Sequence, residues 1–555
     1  MNKIPNPTRK HWALIAGVLA VFSSSVVQAQ EQPDIGETLE QFRPAPELRP
    51  ESPDLLLELP RDAQVEPGGE EVEIRSLNIE GNTVFDREAL LAVMDNPEGQ
   101  SFDLAGLQGL AHAVSDYYRA NGYPFARAVI PPQRFADGEL RLVVVEGRYG
   151  SVRVRDEDDR RAQQAEAFVE GLDSGSLIQA DSLERTTLIL EDLPGIRVVP
   201  ILRPGAVVGT GDLDFVIEPE DQVSSQLGAD NHGSRFTGYE RLNASVVIAS
   251  PFILGDQLSF SGMASRDDLV LGSVDYSRPL GSDGARFNTS YTFTKYKLAR
   301  EFDGLGFGDA HVVGIGFSYP ALRSQRANLT VNVNAQYKDL RNDRFEGAVV
   351  EDYSSVSLPV SLLFDRRDDF LGGGVTYGSF SLNPGEMRLS SEMREDDLLG
   401  TDGPFLTTSL DVARIQSITE GLSLFARVSG QWADDNLDSS EGVSLGGADR
   451  VRAYPANEAS GDKGAFAQLE LRYRMGALSP YVFGDVGWVK FDVNPLEDED
   501  RNTRSLSGAG VGFRIQQSQG FQIETAVAWR GTGGEPESDT RDRDPLYWLS
   551  ATYQF

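Results

Sequence analysis

The sequence predicts a transmembrane antiparallel β-barrel of 16 strands, preceded by two small α/β domains and a short N-terminal helix. Three observations carry that expectation. From about residue 220 onward the chain divides into segments of about ten residues whose apolar and polar positions alternate with the period of a strand. The connections between these segments are short and long by turns, as in barrels that stand in an outer membrane. Ahead of them, one strand–helix–helix–strand–strand pattern occurs twice in succession.

The chain opens on a secretory signal over 1–29. Lys3, Arg9 and Lys10 form its positive start, "WALIAGVLAVF" its apolar core, and Val27 and Ala29 the small residues before cleavage. The apolar run is shorter than the ~20 residues a spanning helix needs. This segment carries three of the 51 Lys and Arg and none of the 85 Asp and Glu, which leaves 48 positive charges against 85 negative in the exported chain. That balance excludes nucleic acid as a partner, because phosphate backbones demand clusters of Lys and Arg. There is no cysteine, so disulfides, thiolate metal sites and a lipoprotein anchor are all excluded. No motif calls for a metal or any other cofactor.

Residues 30–71 begin with "DIGETLEQF", long enough for two or three helical turns. They continue in a Pro- and Glu-rich stretch that reads as an extended linker. In 72–148, "VEIRSLNIEGNTVF" alternates and ends at a Gly-Asn turn. "FDREALLAVM" and "DLAGLQGLAHAVSDYYRANGY" have helical spacing, the second from an N-cap at Asp103 to a stop at Asn121-Gly122. "PFARAVIPPQ" and "GELRLVVVEGRYG" complete the unit as strands. Residues 149–219 repeat it with "GSVRVR", "RRAQQAEAFVEGL", "DSLERTTLILEDLPG", "IRVVPILRPG" and "GDLDFVIEPED".

From 220 to 555 the helical period is gone. In "NLTVNVNAQY", Leu329, Val331, Val333, Ala335 and Tyr337 share one face and polar residues the other. "VSLPVSLLF" sets Val356, Leu358, Val360, Leu362 and Phe364 against Ser357, Pro359 and Ser361. "LSLFARVSGQ" sets Leu422, Leu424, Ala426 and Val428 against Phe425, Arg427 and Ser429. A soluble sandwich alternates too, so connection lengths decide. Seven short links, from "SPFILGD" to "QQSQG", alternate with longer acidic ones such as "GTGGEPESDTRDRD". Seven short turns on one rim imply eight hairpins, hence 16 strands, with both ends of the barrel facing the periplasm. "LYWLSATYQF" closes the chain with Tyr547, Leu549, Ala551, Tyr553 and Phe555 on one apolar face.

The segment "SLGGADRVRAYPANEASGDKGAFAQLELRY" (444–473) contains a G-x-S-x-G match around Ser444. A nucleophile elbow needs a strand–turn–helix context with His and acidic partners. Here the context is a loop between strands, and the histidines after the signal, His112, His232 and His311, are scattered. The chain is not expected to be an enzyme. Strand phase in "YVFGDVGWV" puts Val482, Val486 and Trp488 toward lipid, and therefore Phe483, Asp485 and Gly487 toward the lumen.

These segments resemble a known family. "ANGYPFARAVIPPQRFADGELRLVVVEG" is similar to the pattern of its first POTRA domain, and "GADNHGSRFTGYERL" to its opening barrel strand and loop. "LGG…RVRAY" resembles its motif at the tip of the sixth external loop. The chain resembles the TpsB transporters of two-partner (type Vb) secretion, the hemolysin secretion/activation type (ShlB/FhaC/HecB), within the BamA/TpsB superfamily. The family usually has Gly where this chain has Ala453, which calls for a backbone conformation open to alanine.

The resemblance implies two periplasmic POTRA domains and a pore in the outer membrane of a Gram-negative bacterium. Such a pore exports an unfolded, TpsA-like exoprotein without ATP. It implies a lock between Arg452, beside Tyr454, and Asp485 in the strand-13 motif with Phe483 and Gly487. It makes "DIGETLEQF" a plug helix, its helicity held modest by Gly36. An exposed POTRA edge can capture an extended chain by β-augmentation, and the expected groove residues are Tyr118, Phe125, Arg127 and Val129. The terminal strand with Tyr553 and Phe555 resembles the signal by which barrel-assembly machinery recognises its clients, and the barrel's remaining partner is membrane lipid. The alternative is a BamA/TamA-like factor that assembles outer-membrane proteins. Such factors usually carry more POTRA units and lack the VVEG pattern.

Overall fold

The computed structural model describes residues 34–40, 48, 66–135, 137–345, 347–496, 501–517 and 520–555. The expected signal segment and most of the expected linker lie outside the described residues.

Two α/β units of like topology precede the barrel. In the first, strand Ser76–Glu80 runs parallel to Glu139–Val145, and the latter runs antiparallel to Arg127–Val129. Helices Arg87–Val93 and Leu104–Ala120 cover this sheet. The Asp103 carboxylate caps the longer helix by accepting from the Gly106 N–H at 2.7 Å, and Gly122 at φ +89° ends it. In the second unit Arg148–Arg155 pairs in parallel with Thr210–Pro219, which pairs antiparallel with Ile196–Pro204. Helices Asp159–Val169 and Ala180–Glu191 complete it.

The Val-Val-Glu-Gly run of the first unit has a local physical reason. Glu146, 4% exposed, accepts hydrogen bonds from the N–H groups of Thr83 and Val84, the Thr83 hydroxyl and the Tyr118 hydroxyl. It thereby satisfies the turn that follows the first strand. Gly147, at φ +75°, leaves no room for a side chain because a Cβ would meet Phe125 at 2.8 Å. Burial alone would raise the Glu146 carboxyl, but the bonds from Thr83, Val84 and Tyr118 outweigh it and hold it below the usual value. Its contribution to stability is therefore complete above the ordinary carboxylate range and is lost as pH falls through the depressed value. Glu146→Gln turns an amide N–H₂ toward donors. We expect it to destabilise this unit by about 1–3 kcal/mol at neutral pH and to flatten the acid limb of its unfolding, read by urea melts from pH 3 to 7.

The barrel closes with 16 strands. They are, in order, Val223–Asp230, Arg241–Ala249, Gln257–Ser265, Val270–Pro279, Arg286–Lys297, Gly306–Arg323, Ala327–Arg344, 349–368, Gly374–Leu389, Gly403–Thr419, Leu422–Ala433, Lys463–Tyr473, Leu478–Lys490, Thr503–Gln516, Phe521–Arg530 and Leu546–Gln554. The eighth is interrupted at Leu358-Pro359, yet both halves keep one register against the strands beside them. Pro359 cannot donate to the ladder, which accounts for the break. The last strand meets the first over Ser550–Gln554, and Phe555 and Ser225 exchange backbone bonds of 2.9 Å. Lipid-side phase follows the sequence reading: Val482, Val486 and Trp488 are 53%, 54% and 43% exposed, whereas Phe483 and Asp485 are buried.

The second α/β unit is bonded to the periplasmic turns. Asp192 takes Arg323 in a bidentate pair at 2.8 Å, Arg185 donates to the Pro320 carbonyl, and Glu184 accepts from the Gln325 N–H. Leu254, from the first short turn, sits in that unit's hydrophobic core. The periplasmic part is thus fixed at the mouth of the barrel.

Candidate functional site

The connection between strands 11 and 12 does not stand out in solvent. It folds into the barrel, where Leu445, Val451, Ala453 and Tyr454 are at most 1% exposed. Arg452 is its anchor. Its Nε and Nη2 donate to the two oxygens of Asp485 on strand 13 at 2.9 and 2.7 Å, and its backbone N–H adds a bond of 3.1 Å. Its Nη1 donates to Glu470 on strand 12, and its guanidinium lies 3.6 Å from the centroid of the Phe483 ring. The Arg452 carbonyl accepts from Trp548 Nε1 at 2.7 Å. A planar fork with five donors suits this setting, since two oxygens of one carboxylate and one of another can be met at once.

Tyr454 donates to the Thr532 and Gly534 carbonyls at 3.0 and 3.1 Å, joining the sixth loop to the loop between strands 15 and 16. Gly487 gives the loop room, because a Cβ there would meet Leu445 and Val451 at 3.0–3.1 Å. Gly484 lies on the lipid-side phase, with open space where a side chain would stand. Ala453 is not among the residues at positive φ, and it faces Gly508, where a Cβ would come within 2.2 Å of its own. Space for the alanine is made on strand 14.

Two parts of this site were absent from the sequence reading. Glu470 also holds Arg472 at 2.7 Å and Arg514 at 3.2 Å, so the lock is a network rather than a pair. Its signal lay in "LELRY": Leu469, Leu471 and Tyr473 face lipid, which turns Glu470 inward. Glu458, 0% exposed, pairs with Arg504 and accepts from the N–H groups of Glu537 and Ser538 at 2.7 and 2.9 Å. It holds the last external loop down on the sixth. No sequence pattern pairs residues that far apart. Ser444 is 3% exposed and accepts from Arg450, a structural role.

The helix Ile35–Glu40 lies inside the same lumen. Asp34 caps it by accepting from the Glu37 N–H at 2.8 Å, and its other oxygen accepts from the Ser439 hydroxyl at 2.7 Å. Asn457 donates to the Glu37 carbonyl at 2.9 Å, and the Ile35 N–H to Asn342 Oδ1 at 3.0 Å. Ile35 is fully buried among Phe236, Leu269, Tyr296, Leu340 and Tyr353. Gly36 is required by close approach, since a Cβ would overlap Ser439 and Ser440. The helix therefore rests on the sixth loop itself.

The groove residues divide. Tyr118 is a correction: it is fully buried, edge-on to Phe85 at 4.8 Å and bonded to Glu146, so it is core. The helical phase that puts Leu107, Leu110 and Val114 inward carries it inward as well. Phe125 is a second correction, half-buried against the core of the second unit at the junction of the two. Arg127 is half-buried and Val129 is 41% exposed on the edge strand Arg127–Val129. Tyr553 and Phe555 are exposed on the outer face, with rings stacked at 5.7 Å. Among the described residues no group of three or more His, Asp or Glu is placed to hold a metal ion.

A closed 16-stranded barrel with a loop pinned inside it and α/β units at one mouth defines an outer-membrane protein of the polypeptide-transport class. The chain belongs to the haemolysin secretion/activation protein ShlB/FhaC/HecB family, whose sequence model matches residues 209–515, and a ShlB-type POTRA domain matches 72–147. The heme/hemopexin transporter protein HuxB of Haemophilus influenzae (strain 86-028NP) is 26% identical over 574 residues, covering 99% of this chain and 100% of that protein. The outer membrane transporter CdiB of Dickeya dadantii (strain 3937) is 23% identical, covering 93% and 94%. Among solved structures, CdiB from Escherichia coli superposes with a TM-score of 0.70 at 20% identity, over 90% of this chain and 93% of that one. BamA from Haemophilus ducreyi, lacking POTRA domains 1–3, gives 0.51 at 14% identity, over 88% and 100%. The protein is thus a two-partner-secretion transporter of the outer membrane, with its POTRA domains in the periplasm, rather than a BamA-like assembly factor.

Proposed function

We propose that this transporter is held shut by two linked elements, the luminal helix 35–40 and the Arg452-anchored sixth loop, and that an unfolded exoprotein captured by the first POTRA domain displaces them. The observation that carries this reading is the seating of the helix on residues 439 and 457 of the very loop that Arg452 fixes to the wall. The edge strand Arg127–Val129 is paired on one side only, with Val129 exposed and the Ala128 N–H held by Ser115 at 2.9 Å until an extended chain takes its place. No nucleotide is used: folding outside the cell gives direction, because a folded chain cannot slip back. The protein carries out transport and no chemical step. Lipid and the barrel-assembly machinery are its partners in insertion, the latter through the terminal strand with Tyr553 and Phe555.

The helix can leave without being lost. The 25 residues between it and Glu66 reach about 80–90 Å when extended. Removing 33–59 should raise single-channel conductance in planar bilayers several-fold while the barrel still inserts. Unchanged conductance would mean that the loop alone closes the pore.

A further inference from the structure

Most of the external loops are acidic, but at one cavity on the outer rim arginines outnumber carboxylates. It encloses about 320 Å³ and is lined by Arg266, Arg300, Arg541 and Arg543 with Tyr239 and Tyr547, against the two carboxylates Glu240 and Asp539. Its position follows from the seam. The ladder between strands 16 and 1 reaches Ser550 at its external end, and beyond it Asn231, bonded to Leu549 and to the Tyr547 carbonyl, lines a notch at the external edge. Tyr547, 60% exposed on the lipid face with Leu549 and Tyr553, is one wall of that notch. The cavity thus lies among the external loops, with the lipid-facing Tyr547 at its border.

The "RDRD" run explains the charge. Asp542 and Asp544 both turn to Arg530, the first in direct contact and the second at 3.9 Å. Arg541 and Arg543 line the cavity instead. Arg300 is matched by Asp267 at 2.7 Å, and Arg266 meets Glu240 only at 3.8 Å. The Arg541 N–H donates to Asp539 at 2.9 Å, but neither the Arg541 nor the Arg543 guanidinium forms an ion pair among the described residues, and Arg543 sits 4.8 Å from the centroid of the Tyr239 ring. Two guanidiniums without carboxylate partners converge on a cavity with aromatic walls in a chain of net charge −34.

We propose that this notch binds the phosphate monoester of a lipid headgroup in the outer leaflet. Arg541 and Arg543 would grip the phosphate oxygens, and Tyr547 would lie along the first acyl or sugar segment. Guanidinium forks match phosphate geometry, basic pockets at a membrane edge select anionic headgroups, and tyrosine favours that depth.

The test uses the full chain in detergent and native mass spectrometry. The probes are a bisphosphorylated diglucosamine lipid, its dephosphorylated counterpart, inorganic phosphate and a poly-glutamate peptide. We expect retention of the phosphorylated lipid only, weakened about tenfold or more in R541Q/R543Q, with inorganic phosphate competing only at far higher concentration. R541K/R543K, which keeps charge and loses the fork, should fall between the two, and heat-modifiable migration checks that each barrel is folded. Four results would each overturn the assignment: equal retention of the dephosphorylated lipid, an unaffected double variant, competition by inorganic phosphate at the lipid's own concentration, or displacement by equimolar poly-glutamate.

Discussion

Arg452→Ala should release the sixth loop from the barrel wall. The variant leaves Asp485, 3% exposed, without its bidentate partner and Glu470 with only Arg472 and Arg514. Breaking one side of a buried ion pair typically costs about 3–5 kcal/mol, because a charge is left uncompensated. The whole barrel would survive that loss, since its strand ladders are untouched. The loop's tip would be loosened, because beside it remain Tyr454, Glu458, the Gln468 bond to the Arg450 carbonyl and the packing of Leu445 and Val451, while the Lys338–Glu441 pair still holds the loop's first part. Limited proteolysis within 444–462 should accelerate by at least tenfold, and the closed conductance level should become unstable. Arg452→Lys should behave almost as badly, since an ammonium cannot reach two carboxylates and lie over Phe483 together. Wild-type protease resistance and gating in Arg452→Ala would show that the loop is held by packing.

Deleting 72–148 should abolish partner binding while leaving an inserted, heat-modifiable barrel. The division is possible because the contacts to the periplasmic turns, through Glu184, Arg185 and Asp192, belong to the second POTRA unit. The first unit has its own core around Leu90, Val114, Tyr118 and Leu142 and its own open edge at Arg127–Val129. Pull-down of the denatured exoprotein should fall to background. Persistent binding would move capture to the second unit, whose strand Ile196–Pro204 is also an outer edge.

Legibility in the sequence followed the range of the forces involved. Strand phase is a property of neighbouring residues, so "YVFGDVGWV" already placed Asp485 in the lumen and Val486 in lipid. Connection length is local too, and it set the number of strands even though Pro359 interrupts one of them. Asp103 as a helix cap is visible for the same reason, since cap and N–H are three residues apart. Tyr118 was legible as core, since it continues the inward phase of Leu107, Ala111 and Val114; only its hydroxyl's partner, Glu146, lies beyond local range, 28 residues away. Glu458 with Arg504 and Asp34 with Ser439 join segments that only barrel closure brings together. The tolerance of Ala453 rests on Gly508, which is a neighbour in space alone.

The chain has no cysteine of its own, so an introduced pair reports without interference. Asp34→Cys with Ser439→Cys replaces the hydrogen bond between helix and loop by a reducible bridge. Oxidised, the reconstituted channel should remain at its closed level for the length of a bilayer recording, and a thiol reductant should restore opening steps. Identical opening before and after reduction would contradict the account, because the pore would then open with its helix still tied in place.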